Sequence, residues 1–186
     1  MVQRKKDSVI SYAIAGTIEK NESQNRKQGE KLLDDIKNNY EHQLVVDYIA
    51  SNMEKMSEKV IVGETKLLEL KNLFHLKTPI IAEDNKKNLL EWVKLLHPTP
   101  AMGGIPRQVA IDLIKEYEEY ERKLYAAPIG IIENSGEGIF VVGIRSALID
   151  GNKVYAYAGC GIVEQSNCRE EYEETNTKLR TILEAL

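Results

Sequence analysis

The chain has 186 residues, a formal net charge of −4 and a hydrophobic fraction of 42%, so it fits one domain with a core of its own. Basic and acidic residues are mixed rather than gathered in blocks, which does not favour a nucleic-acid or other polyanionic partner. No apolar run approaches the length of a membrane span, and no secretory apolar segment follows residues 1–7, so we expect a cytoplasmic protein.

The first predicted element is a strand from Ser8 to Ile18, where β-branched and aromatic residues are frequent. It ends at Ala15-Gly16-Thr17. A glycine at this place lets the backbone approach another group closely. That group is either another part of the chain, at a plain strand end or bulge, or a ligand.

A long amphipathic helix is predicted from Gln24 to Met56, because apolar residues recur at spacings of three and four. Glu41 lies beside the apolar stripe, at the edge of the face that should be buried. Its side chain either forms a solvated pair with His42 or points towards a site.

Short strands are predicted at Val60 to Val62, Leu67 to Phe74 and Thr78 to Ala82. His75 falls between the last two, which favours a structural histidine at a strand end. A helix from Asn85 to Leu96 follows, and it ends there because a residue that precedes a proline avoids helical geometry.

The loop from His97 to Pro106 contains three prolines and two glycines, and it is either a rigid connection between helices or the wall of a pocket. Pro106 suits the first turn of a second helix. The core candidates of that helix are Val109, Ile111, Leu113, Ile114 and Tyr117.

Three strands joined by glycine-containing turns are predicted next, at Ile129 to Ile132, Ile139 to Leu148 and Val154 to Ala158. Arg145 lies in the middle strand among apolar residues and therefore needs an anionic partner. That partner is either an internal carboxylate or the carboxylate of a substrate, since a guanidinium can bind a carboxylate through two hydrogen bonds.

The last predicted helix starts near Ser166 or Asn167, both good N-cap residues. Glu171, Glu174 and Lys178 share one face of this helix. They either belong to a solvated, acidic helix start or hold a hard cation such as Mg²⁺ beside an anionic substrate.

Four stretches of the sequence carry a resemblance. They are His97-Pro98-Thr99-Pro100-Ala101-Met102-Gly103-Gly104-Ile105-Pro106, Tyr125-Ala126-Ala127-Pro128-Ile129-Gly130, Ile144-Arg145-Ser146-Ala147-Leu148, and Ala158-Gly159-Cys160-Gly161-Ile162-Val163 followed by Ser166, Glu171-Tyr172-Glu173-Glu174-Thr175 and Lys178. In this order they resemble the chorismate-utilising enzymes, in the menaquinone-type isochorismate synthase branch. The resemblance implies an α/β (α+β) fold, with antiparallel sheets packed together and helices outside. It also implies that residues 1–186 are only about the C-terminal half of one chorismate-binding domain.

The resemblance further implies the reaction and its site. The substrate is chorismate, which an isochorismate synthase isomerises to isochorismate with Mg²⁺, for menaquinone or siderophore biosynthesis. The implied metal ligands are Glu41 and Glu174, with Glu171 acting through water or in the outer shell. The implied substrate-binding residues are Gly16, Thr17, His75, Tyr125, Arg145, Gly159, Gly161 and Lys178, of which His75 is also a catalytic candidate.

The family's general base, a lysine, and its general acid, a glutamate, are expected upstream of Met1 by family spacing. The chain is therefore expected to be nearly inactive alone and to need an N-terminal segment or chain as its partner. The alternatives are a salicylate, anthranilate or aminodeoxychorismate synthase, and a non-catalytic fragment that binds Mg²⁺ and chorismate.

Overall fold

The computed structural model describes residues 2–20, 26–70, 73–84 and 87–186. Its elements in chain order are β1 (Val2–Lys5), β2 (Ser8–Glu19), α1 (Arg26–Asp34), α2 (Ile36–Met53), β3 (Val60–Val62), β4 (Lys66–Glu69), β5 (Leu73–Glu83), α3 (Leu89–Leu96), α4 (Pro100–Gly103), α5 (Arg107–Tyr117), β6 (Pro128–Ile132), β7 (Gly138–Val142), β8 (Ser146–Asp150), β9 (Lys153–Tyr157) and α6 (Cys168–Leu183). The mixture of antiparallel strands and helices confirms the predicted fold class. Among the described residues, no helix is both long and apolar enough to cross a membrane.

The main sheet of the described residues has seven strands in the order β3-β5-β2-β1-β7-β6, and β4 pairs with β5 beside β3. β2 pairs with β5 along the whole length of both strands. The predicted strand break at His75 is wrong, because β5 runs through this residue with β2 on one side and β4 on the other. Residues 71–72, which the sequence placed in a strand, lie outside the described residues.

The core lies between this sheet and helices α2 and α3. Trp92 is fully buried there, and its indole N–H donates to the carboxylate of Asp84 at 2.8 Å, so the tryptophan has its polar group satisfied. The surrounding buried residues include Val9, Val45, Ile49, Met53, Ile80, Leu89 and Leu96. A smaller cluster of Leu32, Phe74 and Leu76 joins α1 to β5.

The single helix predicted from Gln24 to Met56 is in fact two helices. α1 ends at Asp34, and Asp35 then caps α2 by accepting a hydrogen bond from the Asn38 backbone N–H at 2.8 Å. The chain breaks there because a capping residue has extended backbone angles, here φ −76° and ψ 118°. Residues 24 and 25, where the predicted helix began, lie outside the described residues.

The strand predicted from Ile139 to Leu148 is also two strands. Residues 143–145 leave the main sheet after β7, and Arg145 has φ +51°. β8 then pairs with β9 in a separate two-stranded sheet. Helix α3 is shorter than predicted because Asn88 caps it, and residues 85–86 lie outside the described residues.

The apolar face of α5 is exposed, although the sequence predicts it as core. No residue of α5 is buried, and Val109 and Tyr117 are 57% and 76% exposed. A helix face becomes core only where another element covers it. Among the described elements, α5 packs mainly against the short helix α4, which covers too little of it.

The N-cap of α2 leads to a stability prediction. Asp35→Ala removes the carboxylate that accepts the Asn38 N–H, so we expect the free energy of unfolding to fall by about 1 kcal/mol. Asp34→Ala, a neighbouring change outside the cap, should alter it by less than about 0.5 kcal/mol. Urea unfolding followed by circular dichroism measures both values. Equal losses in the two variants would contradict the capping role.

Candidate active site

Gly16 lies at a bulge of β2 that brings this strand against helix α2. It has φ +73°, and β2 shifts its register against β5 between Ala15 and Thr17. A β-carbon at Gly16 would lie 3.0 Å from the backbone oxygen of Asn38, so this position excludes a side chain. The Thr17 N–H donates to the Asn38 side-chain oxygen at 2.8 Å. The close approach predicted from the glycine is therefore an approach to helix α2, at a strand bulge.

His75 lies against this bulge, is only 7% exposed and is bonded at both ring nitrogens. Nε2 lies 3.3 Å from the Arg145 guanidinium, which can only donate, so Nε2 is the accepting nitrogen. Nδ1–H then donates to the Gly16 carbonyl at 3.2 Å, with the Thr17 hydroxyl at 3.1 Å. Burial and the charges of Arg145 and Lys178 lower the pKa of His75 from 6.5 to about 4, against the Gly16 hydrogen bond. His75 is therefore a neutral imidazole at pH 7.

Arg145 lies half-buried in the break between β7 and β8. Its φ of +51° is uncommon for a residue with a side chain, and the residue belongs to neither strand. Burial lowers the pKa of Arg145, while Glu174 and Tyr125 favour its charged form. A carboxylate of the chain, that of Glu174, lies within electrostatic reach of Arg145, and a guanidinium nitrogen also contacts His75.

Lys178 and Glu174 join this group from helix α6. The helix begins after Asn167, whose side chain caps it as predicted. Lys178 Nζ lies 2.5 Å from a Glu174 carboxylate oxygen and donates to the Gly159 carbonyl at 3.0 Å. The lysine therefore ties the helix to the glycine turn and places its ammonium within electrostatic reach of His75.

Tyr125 closes the glycine-turn side of the site. Its ring stacks on Tyr157 with the centroids 5.3 Å apart, and burial raises the pKa of its hydroxyl. A β-carbon at Gly159 would lie 3.1 Å from that hydroxyl, whereas a β-carbon at Gly161 would meet nothing within 4 Å. A side chain at Gly159 would therefore crowd the Tyr125 hydroxyl, whereas a side chain at Gly161 would meet no neighbouring atom.

Glu171 is a buried carboxylate that a lysine of α2 neutralises. Lys37 Nζ lies 2.7 Å from a Glu171 oxygen. Burial raises the pKa of Glu171, but hydrogen bonds from Lys37, Ser166 and Cys160 outweigh it and leave the pKa below its ordinary value. Burial lowers the pKa of Lys37, but Glu171 outweighs it, so both partners favour the ion pair.

Glu41 is half-buried on α2, within reach of the acidic face of α6. Burial and repulsion from Glu171 and Glu174 raise the pKa of Glu41, against the attraction of the nearby lysines. Its neighbour His42 is buried and bonded to the Thr78 hydroxyl at 2.7 Å. The alternative in which Glu41 and His42 form a solvated pair is therefore wrong.

Of the three predicted metal ligands, Glu171 and Glu174 both lie within electrostatic reach of Glu41. Carboxylate oxygens are the donors that Mg²⁺ prefers, so the donor type fits the implied metal. Across residues 2–20, 26–70, 73–84 and 87–186, however, no three His, Cys, Asp or Glu side chains form a ready-made metal group. Lys37 and Lys178 hold two of the carboxylates instead.

Such a site can bind an anion and a hard cation side by side. Arg145 and Lys178 supply fixed positive charge, and Tyr125 supplies an aromatic wall with a hydroxyl. The acidic cluster supplies oxygen donors. A small dianion matches this combination in charge.

Sequence reasoning missed Lys37 and Asn38. Lys37 lies one helical turn before Glu41, a spacing at which opposite charges commonly pair, so a local signal existed. Its bond to Glu171 joins residues 134 positions apart and has no local signal. Asn38 is identified only once the bulge at Gly16 brings β2 against the start of α2.

Comparisons with known proteins identify the family. The sequence pattern of the family described as "Chorismate binding enzyme" matches residues 1–186. The chain is 40% identical over 190 residues to isochorismate synthase MenF of Bacillus subtilis, and 39% identical over 190 residues to the salicylate biosynthesis isochorismate synthase of Pseudomonas aeruginosa. Each match covers 100% of this chain and 40% of the relative.

A solved structure shows the same fold. The menaquinone-specific isochorismate synthase MenF of Escherichia coli superimposes with a TM-score of 0.87 at 34% identity. The match covers 98% of this chain and 44% of that one. The chain thus spans less than half the length of these relatives, and the resemblance seen in the sequence is confirmed.

The pKa of His75 provides a test of the site's geometry. Arg145→Gln removes the nearest positive charge, so the pKa of His75 should rise from about 4 towards 6.5. His42, whose pKa is lowered by burial, should titrate as before and serves as the control. Imidazole proton resonances measured between pH 3 and 8, a range set by ordinary histidine titration, give both values. A His75 pKa that does not respond would contradict the contact.

The same shift has a consequence for stability. The folded pKa of about 4 lies below the ordinary 6.5, so between these values the unfolded chain binds a proton at His75 that the folded chain does not. The contribution of His75 therefore makes the free energy of unfolding fall as the pH drops through this window. Arg145→Gln should make that dependence shallower.

Proposed function

Because the chain belongs to the chorismate-binding enzyme family, we propose that it forms part of an isochorismate synthase, which converts chorismate to isochorismate. The observation that carries the proposal is the gathering of Arg145, His75, Lys178 and Glu174 at one place. These residues come from β5, from the break between β7 and β8, and from α6. Their contacts give a small dianion two cations and a neutral imidazole in one site.

Chorismate carries two carboxylates and a ring hydroxyl that must leave. We assign one carboxylate to Arg145 and Lys178, because a guanidinium and an ammonium can both donate to it. The glycine turn at Gly159 and Gly161 contributes backbone N–H groups without side chains in the way. Lys178 is held by Glu174 and the Gly159 carbonyl, so its ammonium is oriented before substrate arrives.

Mg²⁺ is the proposed cofactor. Glu41 and Glu174 would be direct ligands and Glu171 a ligand through water, and the bound ion would neutralise and orient the second carboxylate of chorismate. Support comes from Glu41, whose pKa is raised by burial and by two neighbouring carboxylates. An added cation would relieve that repulsion.

His75 has a positioning role in this proposal. As a neutral imidazole at pH 7, it has no proton on Nε2 to give to a leaving hydroxyl. Its Nε2 instead holds the Arg145 guanidinium, and its Nδ1–H anchors the pair to the Gly16 carbonyl. The catalytic acid and base then lie in the part of the family's domain that this chain does not span.

The product would enter menaquinone or siderophore biosynthesis. The names of the relatives support both, since one Escherichia coli protein is menaquinone-specific and the Pseudomonas aeruginosa protein acts in salicylate biosynthesis. Both pathways begin with the same isomerisation in this proposal. The chemistry of the site is therefore the same for either.

The proposed activity is tested in a fused protein. The part of Bacillus subtilis MenF that this chain does not match is fused to the N-terminus of this chain. Isochorismate is then measured by chromatography after addition of chorismate and Mg²⁺. We expect product, and we expect Arg145→Ala to lower kcat/KM by about 100-fold, because a buried charged partner is removed. Arg169→Ala, an exposed arginine of α6, is the control. Absence of product from a folded fusion would sink the proposal.

Metal binding is tested without turnover. Mn²⁺, which takes the same oxygen donors as Mg²⁺, is titrated into the fused protein and followed by electron paramagnetic resonance. Glu174→Gln should weaken binding about tenfold or more. Glu173→Gln changes the adjacent exposed carboxylate and should have no effect. Equal affinity in all three proteins would contradict the assigned ligands.

A further inference from the structure

We propose that Arg122 is a positioning residue of the candidate site. Its guanidinium holds the ring of Tyr125, the aromatic wall of the site, and ties that wall to the loop from His97 to Pro106. Arg122 acts through Tyr125 and not on the substrate itself. The proposal rests on the proposed function, because it takes Tyr125 as part of the substrate site.

The guanidinium of Arg122 is bonded through all three of its nitrogens. Nε and Nη2 donate to the two carboxylate oxygens of Glu118 at 2.7 and 2.6 Å, which is the paired geometry of a guanidinium and a carboxylate. Nη1 donates to the Met102 carbonyl at 3.0 Å. Glu118 lies at the end of α5, and Met102 lies in α4. Arg122 therefore joins the end of one helix to the other and has a fixed orientation.

The fixed guanidinium lies against the ring of Tyr125. Arg122 Cζ is 5.7 Å from the centroid of that ring, within the range of a cation–π contact. The same ring stacks on Tyr157, with the two planes inclined by 17°. Tyr120 packs on Tyr157 in turn, with the centroids 5.8 Å apart. A cation and a second aromatic ring thus determine where the ring of Tyr125 lies.

The backbone around Tyr125 shows why it needs such contacts. Lys123 has φ +47° and Ala126 has φ +61°, and both values are uncommon for residues with a side chain. In the described ranges, four residues other than glycine have a positive φ, and Lys123, Ala126 and Arg145 are three of them. Backbone in such sparsely populated angles persists only where its surroundings hold it, and it clusters at functional sites. Arg122 also closes the turn, because its carbonyl accepts the Tyr125 N–H at 2.7 Å.

The turn is joined directly to the break that carries Arg145. The Ala126 N–H donates to the Gly143 carbonyl at 2.8 Å, and the Gly143 N–H donates to the Ala127 carbonyl at 2.8 Å. Gly143 lies two residues before Arg145. Tyr125 and the arginine assigned to the substrate carboxylate are therefore held in one backbone arrangement. Loss of the Arg122 contacts should disturb how the anion is held and not the chemistry of its reaction.

The kinetic test uses the fused protein that tests the proposed activity. Arg122→Gln should raise KM for chorismate about tenfold and change kcat by less than about twofold, because the proposed acid and base lie outside this chain. Arg122→Lys keeps the charge but cannot form the paired bonds to Glu118, so it should raise KM by a similar factor. The control is Arg107→Gln, which removes an arginine that donates to the His97 carbonyl of the same loop at 2.8 Å. Its KM should stay within about twofold of the unmodified value.

A double variant shows whether Arg122 acts through Tyr125. Tyr125→Leu removes the ring, so adding Arg122→Gln to it should raise KM by less than about a further twofold. Full multiplication of the two effects would overturn the proposal. So would an unchanged KM in Arg122→Lys, since charge alone would then suffice, or a fall in kcat at unchanged KM in Arg122→Gln.

The position of the ring is measured separately in the 186-residue chain. Nuclear Overhauser contacts between the rings of Tyr125 and Tyr157 should be present in the unmodified chain and in Arg107→Gln, and they should be lost in Arg122→Gln. Ring contacts that persist in Arg122→Gln would contradict the positioning role. If they are lost but the fused protein makes no product, the positioning of Tyr125 stands and the result counts against the proposed function alone.

Discussion

The left-handed turn at Gly16 is the constraint on which the candidate site depends. β2 and β5 pair along their full length, and the register of this ladder shifts at Gly16. Without a β-carbon, Gly16 lets the Asn38 backbone approach, and the next N–H, of Thr17, bonds to the Asn38 side chain. The strand is thereby fixed to the first turn of α2. Gly16 itself has no paired residue on β5, and its carbonyl accepts the hydrogen bond that orients His75.

The charged residues of α2 and α6 determine the pKa values of the carboxylates in the site. Lys37 and Glu41 lie one turn apart on α2 and face the acidic side of α6. The pKa values of the buried Glu171 and the half-buried Glu41 shift in opposite directions. Lys37 bonds to Glu171, whose pKa is lowered, while burial and like charges raise the pKa of Glu41. A buried charge is stable only when paired, so Glu41 is the member that gains most from an added cation.

Local signals in the sequence predicted many of the helices and strands, but not the break between α1 and α2 or the long-range contacts of the site. The turn between β8 and β9 and the Asn167 cap of α6 were predictable, because turn and cap residues act on their immediate neighbours. The break at Asp35 was not, since apolar spacing continues on both sides of it. The acidic and basic residues of the candidate site were named from the family resemblance. The geometry that joins them, such as the contact of Arg145 with His75, depends on residues 70 positions apart.

The exposed apolar residues also bear on the site. Burial of one large apolar side chain contributes about 1.5–3 kcal/mol, and a typical domain is stable by only about 5–15 kcal/mol. Leaving the apolar residues of α5, β6 and β8 in water therefore forgoes a large share of the stability of a domain. The well-buried side of the fold, around Trp92 and Ile49, supports β2, β5 and α2, and thus Gly16 and His75. Arg145 belongs to the other side, between strands whose apolar faces are exposed. The position of the anion-binding arginine is consequently the part of the site that depends most on what covers β6 to β9.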